Sequence, residues 1–323
     1  MNDTARNPEP NPAAIDLSQG TQDWRGVAYL GKNAWWRYCL GIALILFGFL
    51  FVGSFGTGIF VAIWLLFQGV PPEILTTSLI DFLAQPSIPS LVANNISFIF
   101  GLASLAIVLP WIHRRPFLSL LGARLQVRWW RILAAFGLWF AMLSLLGAVG
   151  YGLEPNEFMF TFEPRQWLSL LAVTIPLTFI QVSCEELFFR GYLLQGLGLL
   201  IRSKVILALV AAIPFGLVHL SNPEMLRGFG WMAFYYFAFG VAANWLTLRD
   251  NRLELAIGFH LAINFFGILI ISSTDSVVPA PSILTVDADG SPMWSVVVFW
   301  VEYAIFYFAF FGQWRRARPQ SLR

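Results

Sequence analysis

The sequence predicts an all-α membrane protein, a bundle of about eight transmembrane helices with both termini in the cytoplasm. Three observations lead there. Charged residues make up only 12% of the 323, about half the share of an ordinary soluble domain. Hydrophobic residues reach 58%, with 31 Phe and 14 Trp, and the mean hydropathy is +0.69. Apolar windows of roughly 20 residues, the length that crosses a bilayer core as a helix, recur along the chain.

In order, the windows are 38–67, 91–111, 129–151, 167–189, 205–220, 229–248, 253–272 and 293–312. Small residues in the first, Ser54 and Gly58, would let a neighbouring helix approach closely. The connections test the count independently. The connection 69–90 has no Lys or Arg, whereas 113–131 holds Arg114, Arg115, Arg124, Arg128 and Arg131. The alternation continues: Arg165 stands alone before the fourth window, Arg190, Arg202 and Lys204 follow it, Arg227 stands alone after the fifth, and Arg249 and Arg252 follow the sixth. The N-terminal segment adds Arg6, Arg25, Lys32 and Arg37, and the C-terminus adds Arg315, Arg316, Arg318 and Arg323. One side thus collects 18 of the 20 basic residues, and the positive-inside rule makes it the cytoplasm. Residues 1–34, rich in Pro and Asn, read as a disordered cytoplasmic tail, 35–314 as a single polytopic membrane domain, and 315–323 as a basic cytoplasmic tail. No targeting peptide is visible, so a bacterial plasma membrane is the expected location.

Several function classes are excluded. A net charge of +2 and the absence of a basic, aromatic-laced surface argue against a nucleic-acid partner. Two cysteines, Cys39 and Cys184, give neither a disulfide framework nor metal-cluster spacing. No internal repeat or inverted pair of broken helices supports a secondary transporter.

Few strongly polar groups remain inside the windows. Glu185, Glu186 and Arg190 close the fourth, His219 lies in the fifth, and His260 and Asn264 lie in the seventh; Asn244 and Glu302 complete the set. Ionisable groups at such depth are expensive and by default functional. Residues four apart share a helix face and adjacent ones point about 100° apart. Glu186 can therefore pair with Arg190, while Glu185 faces elsewhere with no partner on its own helix. A bundle could gather Glu185, His219, His260 and Asn264 around one polar cavity. Such a set supports hydrolysis: a carboxylate in an apolar site takes a proton from water, and imidazole and carboxamide N–H groups stabilise an oxyanion. Alternatively Glu185, His219 and His260 are three ligands of a catalytic zinc with water in the fourth position. Other polar positions read as structural. Glu302 is expected to find a partner such as Asn244, Cys184 to be a buried filler, and His113 to be solvated.

Three motifs then fall in order on separate windows: Glu185-Glu186-Leu-Phe-Phe-Arg190, Phe215-Gly-Leu-Val-His219 and His260-Leu-Ala-Ile-Asn264. This pattern resembles the CAAX-protease and bacteriocin-processing (CPBP, or Abi) family of intramembrane proteases and is similar to the prenyl-protein endopeptidases that trim CAAX tails. The resemblance covers about 167–271, and every motif position is filled. It implies an intramembrane endopeptidase of metallo- or glutamate type. In it Glu185 is the general base, Glu186 pairs with Arg190, and His219, His260 and Asn264 position water and stabilise the oxyanion. It also implies a peptide or protein substrate, prenylated or membrane-embedded, and zinc as a candidate cofactor. The competing reading is a non-catalytic membrane scaffold or chaperone that retains the polar cluster.

One difficulty is depth. At 1.5 Å per residue, Glu185 lies ~27 Å from Trp167, toward the cytoplasmic end, whereas His219 would lie ~20 Å in from that end. The two meet only if the fourth helix continues inward past Arg190 toward Leu200, or if the fifth starts below the membrane plane. Either shift places the site in the cytoplasmic half.

Overall fold

A computed structural model describes residues 24–287 and 290–312. Eight long or medium helices follow one another, with one short helix between the first two. They are α1 (Trp35–Phe67), the short α2 (Leu75–Ala84), α3 (Ile88–His113), α4 (Trp129–Leu153), α5 (Pro164–Gly198), α6 (Lys204–Val218), α7 (Phe229–Asp250), α8 (Glu254–Leu269) and α9 (Pro292–Phe311). The fold is all-α and of membrane type. Five helices, α1, α3, α4, α5 and α9, are long and apolar enough to cross a bilayer. The other three are short, at 15 residues for α6 and 16 for α8, or are broken by polar groups such as Tyr235, Tyr236 and Asn244 in α7. All three contribute residues to the wall of one cavity.

The surface fits a lipid surround. Phe47, Phe51, Phe55, Phe67, Leu133, Leu145 and Phe308 are all exposed, a contiguous apolar skin that a water-soluble monomer rarely shows. Trp35, Trp36, Trp129, Trp130 and Trp294 are exposed near helix ends, as interface anchors are.

The two ends of the bundle differ. At one, Arg131 donates to Asp250 at 2.6 Å, Arg252 pairs with Glu254, and the Trp24 N–H donates to Asn251 at 2.9 Å. Arg115 donates to Gln195 at 2.7 Å. At the other, three short strands tie two connections together: β1 (Phe158–Phe160), β2 (Ile271–Ser273) and β3 (Leu284–Val286), in the order β1-β3-β2. β1 runs antiparallel to β3, with Met159 opposite Thr285, and β2 runs parallel to it, with Ser272 opposite Thr285. No alternating pattern in those connections announced a sheet.

Close helix contacts rest on glycine. A Cβ at Gly258 would stand 2.4 Å from the Ile132 carbonyl oxygen, so α8 lies backbone to backbone on α4. In α1 the close approach is at Gly53, whose Cβ would meet the Ser97 backbone at 2.6 Å, while Gly58 has open space around it. The expected small-residue contact is therefore real in kind but misplaced by about one turn, because Ser54 is exposed and Gly53 is on the buried side.

Further expectations change. Of the tail expected over 1–34, residues 1–23 lie outside the described residues, as does the basic segment 315–323. Residues 24–30, however, form a 3₁₀ helix with Trp24, Val27 and Ala28 fully buried. His113 is not solvated: it is fully buried, with Nδ1 3.0 Å from the Lys32 carbonyl and Nε2 2.7 Å from the Tyr192 hydroxyl. Glu302 and Asn244 do not pair. Asn244 donates instead to the Ala208 carbonyl at 3.0 Å, because α7 lies against α6 along that face. Cys184 is buried, as expected.

Candidate active site

The long α5 resolves the depth problem. It runs unbroken for 35 residues, past Arg190 to Gly198, so Glu185 lies ~32 Å from its first residue and ~20 Å from its last. His219 caps α6 at the far end of a short helix. The two meet at one cavity of about 320 Å³, whose walls include Glu185, His219, His260 and Asn264. All four residues that helical spacing nominated are together.

Glu186 and Arg190 stand behind this wall. Arg190 donates to Glu186 Oε1 at 3.0 Å, and both side chains are 0% exposed. The same carboxylate oxygen is 2.8 Å from His260 Nδ1. A carboxylate only accepts, so Nδ1 carries the proton and Nε2 of a neutral His260 presents a lone pair to the cavity. His219 is set alike: its Nδ1 is 2.6 Å from the Phe215 carbonyl oxygen and therefore donates, leaving Nε2 free. Among the described residues Glu185 forms no ion pair with Lys or Arg; its carboxylate lies 3.5 Å from the Gln181 carboxamide nitrogen and 3.9 Å from His260 Nε2, the latter beyond hydrogen-bond length.

Phe215 explains itself in this geometry. Its ring lies 4.2 Å below the Arg190 guanidinium, a cation–π contact, and 4.4 Å from the His219 ring. Phe239 of α7 stacks on Phe215 at 5.2 Å and meets the His260 ring edge-on at 4.8 Å. One aromatic layer thus satisfies the buried cation and steadies both imidazoles. At Leu187–Leu193 the helix widens into a π turn, a feature frequent at functional sites.

Sequence reasoning missed several lining residues. Tyr236 stacks on His219 at 4.4 Å and accepts from Asn222 at 3.0 Å. Gln181 sits one turn before Glu185, a spacing that could have flagged it. Glu224 and Arg227, at the cavity mouth, come from a connection with no motif of its own. There Arg227 pairs with Asp275 and donates to Ser273 Oγ at 2.7 Å. Although burial pushes the Asp275 carboxyl up, the hydrogen bonds from Arg227 and Ser273 outweigh it and hold it below its usual range. Burial pushes the Glu224 carboxyl up.

The expected zinc trio is not drawn together as ligands. Among the described residues, no three His, Cys, Asp or Glu side chains form a group that could hold a metal ion. As placed, Glu185, His219 and His260 do not fit a catalytic zinc.

Comparison with known proteins bears on this same region. Residues 166–266 match the family described as type II CAAX prenyl endopeptidase Rce1-like. This segment resembles that family. The Rce1-like stretch runs from the start of α5 into α8 and holds every motif residue, in agreement with the CPBP resemblance, and the family points to a protease. Over 266 residues the chain is also 29% identical to the uncharacterized protein YyaK of Bacillus subtilis (strain 168), covering 82% of this chain and 87% of that protein. That likeness extends well beyond the Rce1-like segment. No solved structure matches the chain.

Proposed function

We propose that the protein is an intramembrane endopeptidase in which Glu185 activates water for attack on a peptide bond. The observation that carries this reading is a Glu185 carboxyl group that makes no ion pair with Lys or Arg among the described residues, on the wall of a cavity it shares with two imidazoles each bonded through Nδ1. Water held beside Glu185 and the two imidazoles gives one proton to the Glu185 carboxylate while its oxygen attacks the carbonyl carbon. Its second O–H is accepted by one of the two Nε2 atoms, which orients it. The Asn264 carboxamide, on the same face of α8 as His260, is the donor for the oxyanion. The proton on Glu185 then passes to the leaving nitrogen, the C–N bond breaks, and the carboxylate is restored. Glu186 and Arg190 are positioning residues that fix His260 without touching substrate.

No step is routed through a metal. The placement of the side chains favours cleavage that survives a strong chelator in protein free of bound zinc; loss of cleavage on chelation with recovery on zinc would establish the metal version instead. Glu185→Gln keeps the shape and removes the base. Cleavage of a peptide library by the purified chain is expected to drop by about 10²–10⁴, with the melting temperature in detergent unchanged. Equal cleavage by Glu185→Gln would remove the glutamate mechanism, and cellular function preserved in both Glu185→Gln and His219→Ala would point to the scaffold reading.

A further inference from the structure

Among the described residues, those that line the cavity reach only one end of the bundle. Its mouth is built by Asn222, Glu224 and Arg227 from the connection 219–228, by Ser276 from 270–291, and by Ser295 from the first turn of α9. None of the residues that line it belongs to the connections 114–128, 199–203 or 251–253 at the opposite end. Toward that end the floor is the Glu186–Arg190 pair with Phe189, Phe215 and Phe239, all buried. The chemistry is deep, yet the way in comes from the far side.

Charge marks which side that is. Among the described residues, and with the buried Arg190 set aside, eleven Lys and Arg lie at the closed end, against Arg165 and Arg227 at the open one. Arg227 is itself neutralised by Asp275. Contacts agree with this sorting: the Arg131–Asp250 pair and the Arg128 backbone N–H donating to Glu254 join basic-end connections, whereas the three-stranded sheet and Arg227–Asp275 join the others. Lys and Arg in short connections stay in the cytoplasm, so the closed end is cytoplasmic and the mouth is not.

We infer that the cavity receives its substrate from the extracytoplasmic face, as a peptide segment exported across the membrane or displayed on its outer side. The substrate class rests on the peptidase reading above; the direction of access does not. A tail made and lipidated in the cytosol meets the closed floor. The mouth suits a peptide chain: Asn222 and Glu224 stand on its wall, and one Glu224 carboxylate oxygen accepts from the Val277 N–H at 2.8 Å, which holds the side chain there.

Single cysteines read the direction in the full chain. In a Cys39→Ser background, with the buried Cys184 retained, Ser276→Cys and Ser295→Cys place thiols at the mouth on two different elements, and Gln126→Cys places one at the basic end. With a membrane-impermeant sulfonated maleimide on intact cells, both mouth thiols are expected to label, and Gln126→Cys only after permeabilisation. The reverse pattern, labelling of Gln126→Cys on intact cells, or mouth thiols silent in both conditions would each overturn the inference. Labelling is independent of cleavage, so a failure here leaves the peptidase reading standing, and an inactive Glu185→Gln leaves the direction of access standing.

Discussion

His113 and His219 sit at opposite ends of one bundle, on elements of similar hydropathy, and differ in what their second nitrogen does. Around His113 every ring nitrogen has a partner: Nδ1 donates to the Lys32 carbonyl and Nε2 accepts from Tyr192, with Arg115 and Gln195 bonded alongside. His219 and His260 likewise commit Nδ1, but their Nε2 atoms face open space shared with Glu185. The contrast is between an imidazole with both nitrogens bonded inside the fold and two imidazoles bonded at Nδ1 on the wall of a cavity that can take up a reactant.

Breaking the contrast begins at the brace. Glu186→Ala leaves Arg190 charged and fully buried with no anion, which costs about 3–5 kcal/mol; the expected result is loss of folded protein in detergent, read by thermal unfolding, together with loss of cleavage. Next comes the exchange of the two histidines. His219→Ala is expected to abolish cleavage while shifting stability little. His113→Ala is expected to lower stability by about 1–3 kcal/mol, the cost of stranding the Tyr192 hydroxyl, with cleavage per folded molecule preserved. Equal effects of the two variants on turnover would erase the distinction. The smallest effect lies at the mouth. Asp275 titrates below its unfolded value, so its contribution is present above the ordinary carboxylate range and is lost as pH falls through the lowered value. The stability difference between the natural chain and Asp275→Asn should therefore hold constant from pH 5 to 8 and close only in acid below about 3.8, as followed by melting temperature against pH.

Helical spacing made the site residues legible because a helix keeps its register: Glu186 with Arg190 and His260 with Asn264 are four apart, and each pair falls on one face. The transmembrane windows were legible from hydropathy for the same reason of local periodicity. Tyr236, Gln181 and Glu224 were not. They join the site through packing of α7 against α6 and through folding of a connection, and neither leaves a periodic trace. The sheet escaped notice because three-residue strands are too short to show alternation, and the burial of Trp24 because a polar N-terminal composition hides one anchor residue. His113 was misread for a related reason. Its neighbours Arg114 and Arg115 suggest water, yet Arg115 is itself buried against Gln195.

The widened turn at Leu187–Leu193 means that one helix serves two clusters in different rotational phase. Before the turn, Glu185 faces the cavity; at its end and beyond it, Tyr192 and Gln195 face His113, Arg115 and the Ser119 carbonyl. Each residue of an α-helix advances the phase by about 100°, so removing one residue from this turn would leave the catalytic wall in place and swing the whole inner end of α5 away from its partners. The stretch is therefore intolerant of length in a way that its mostly apolar composition does not reveal: substitutions there act locally, whereas a single deletion acts as a clutch slipping between the two halves of the molecule.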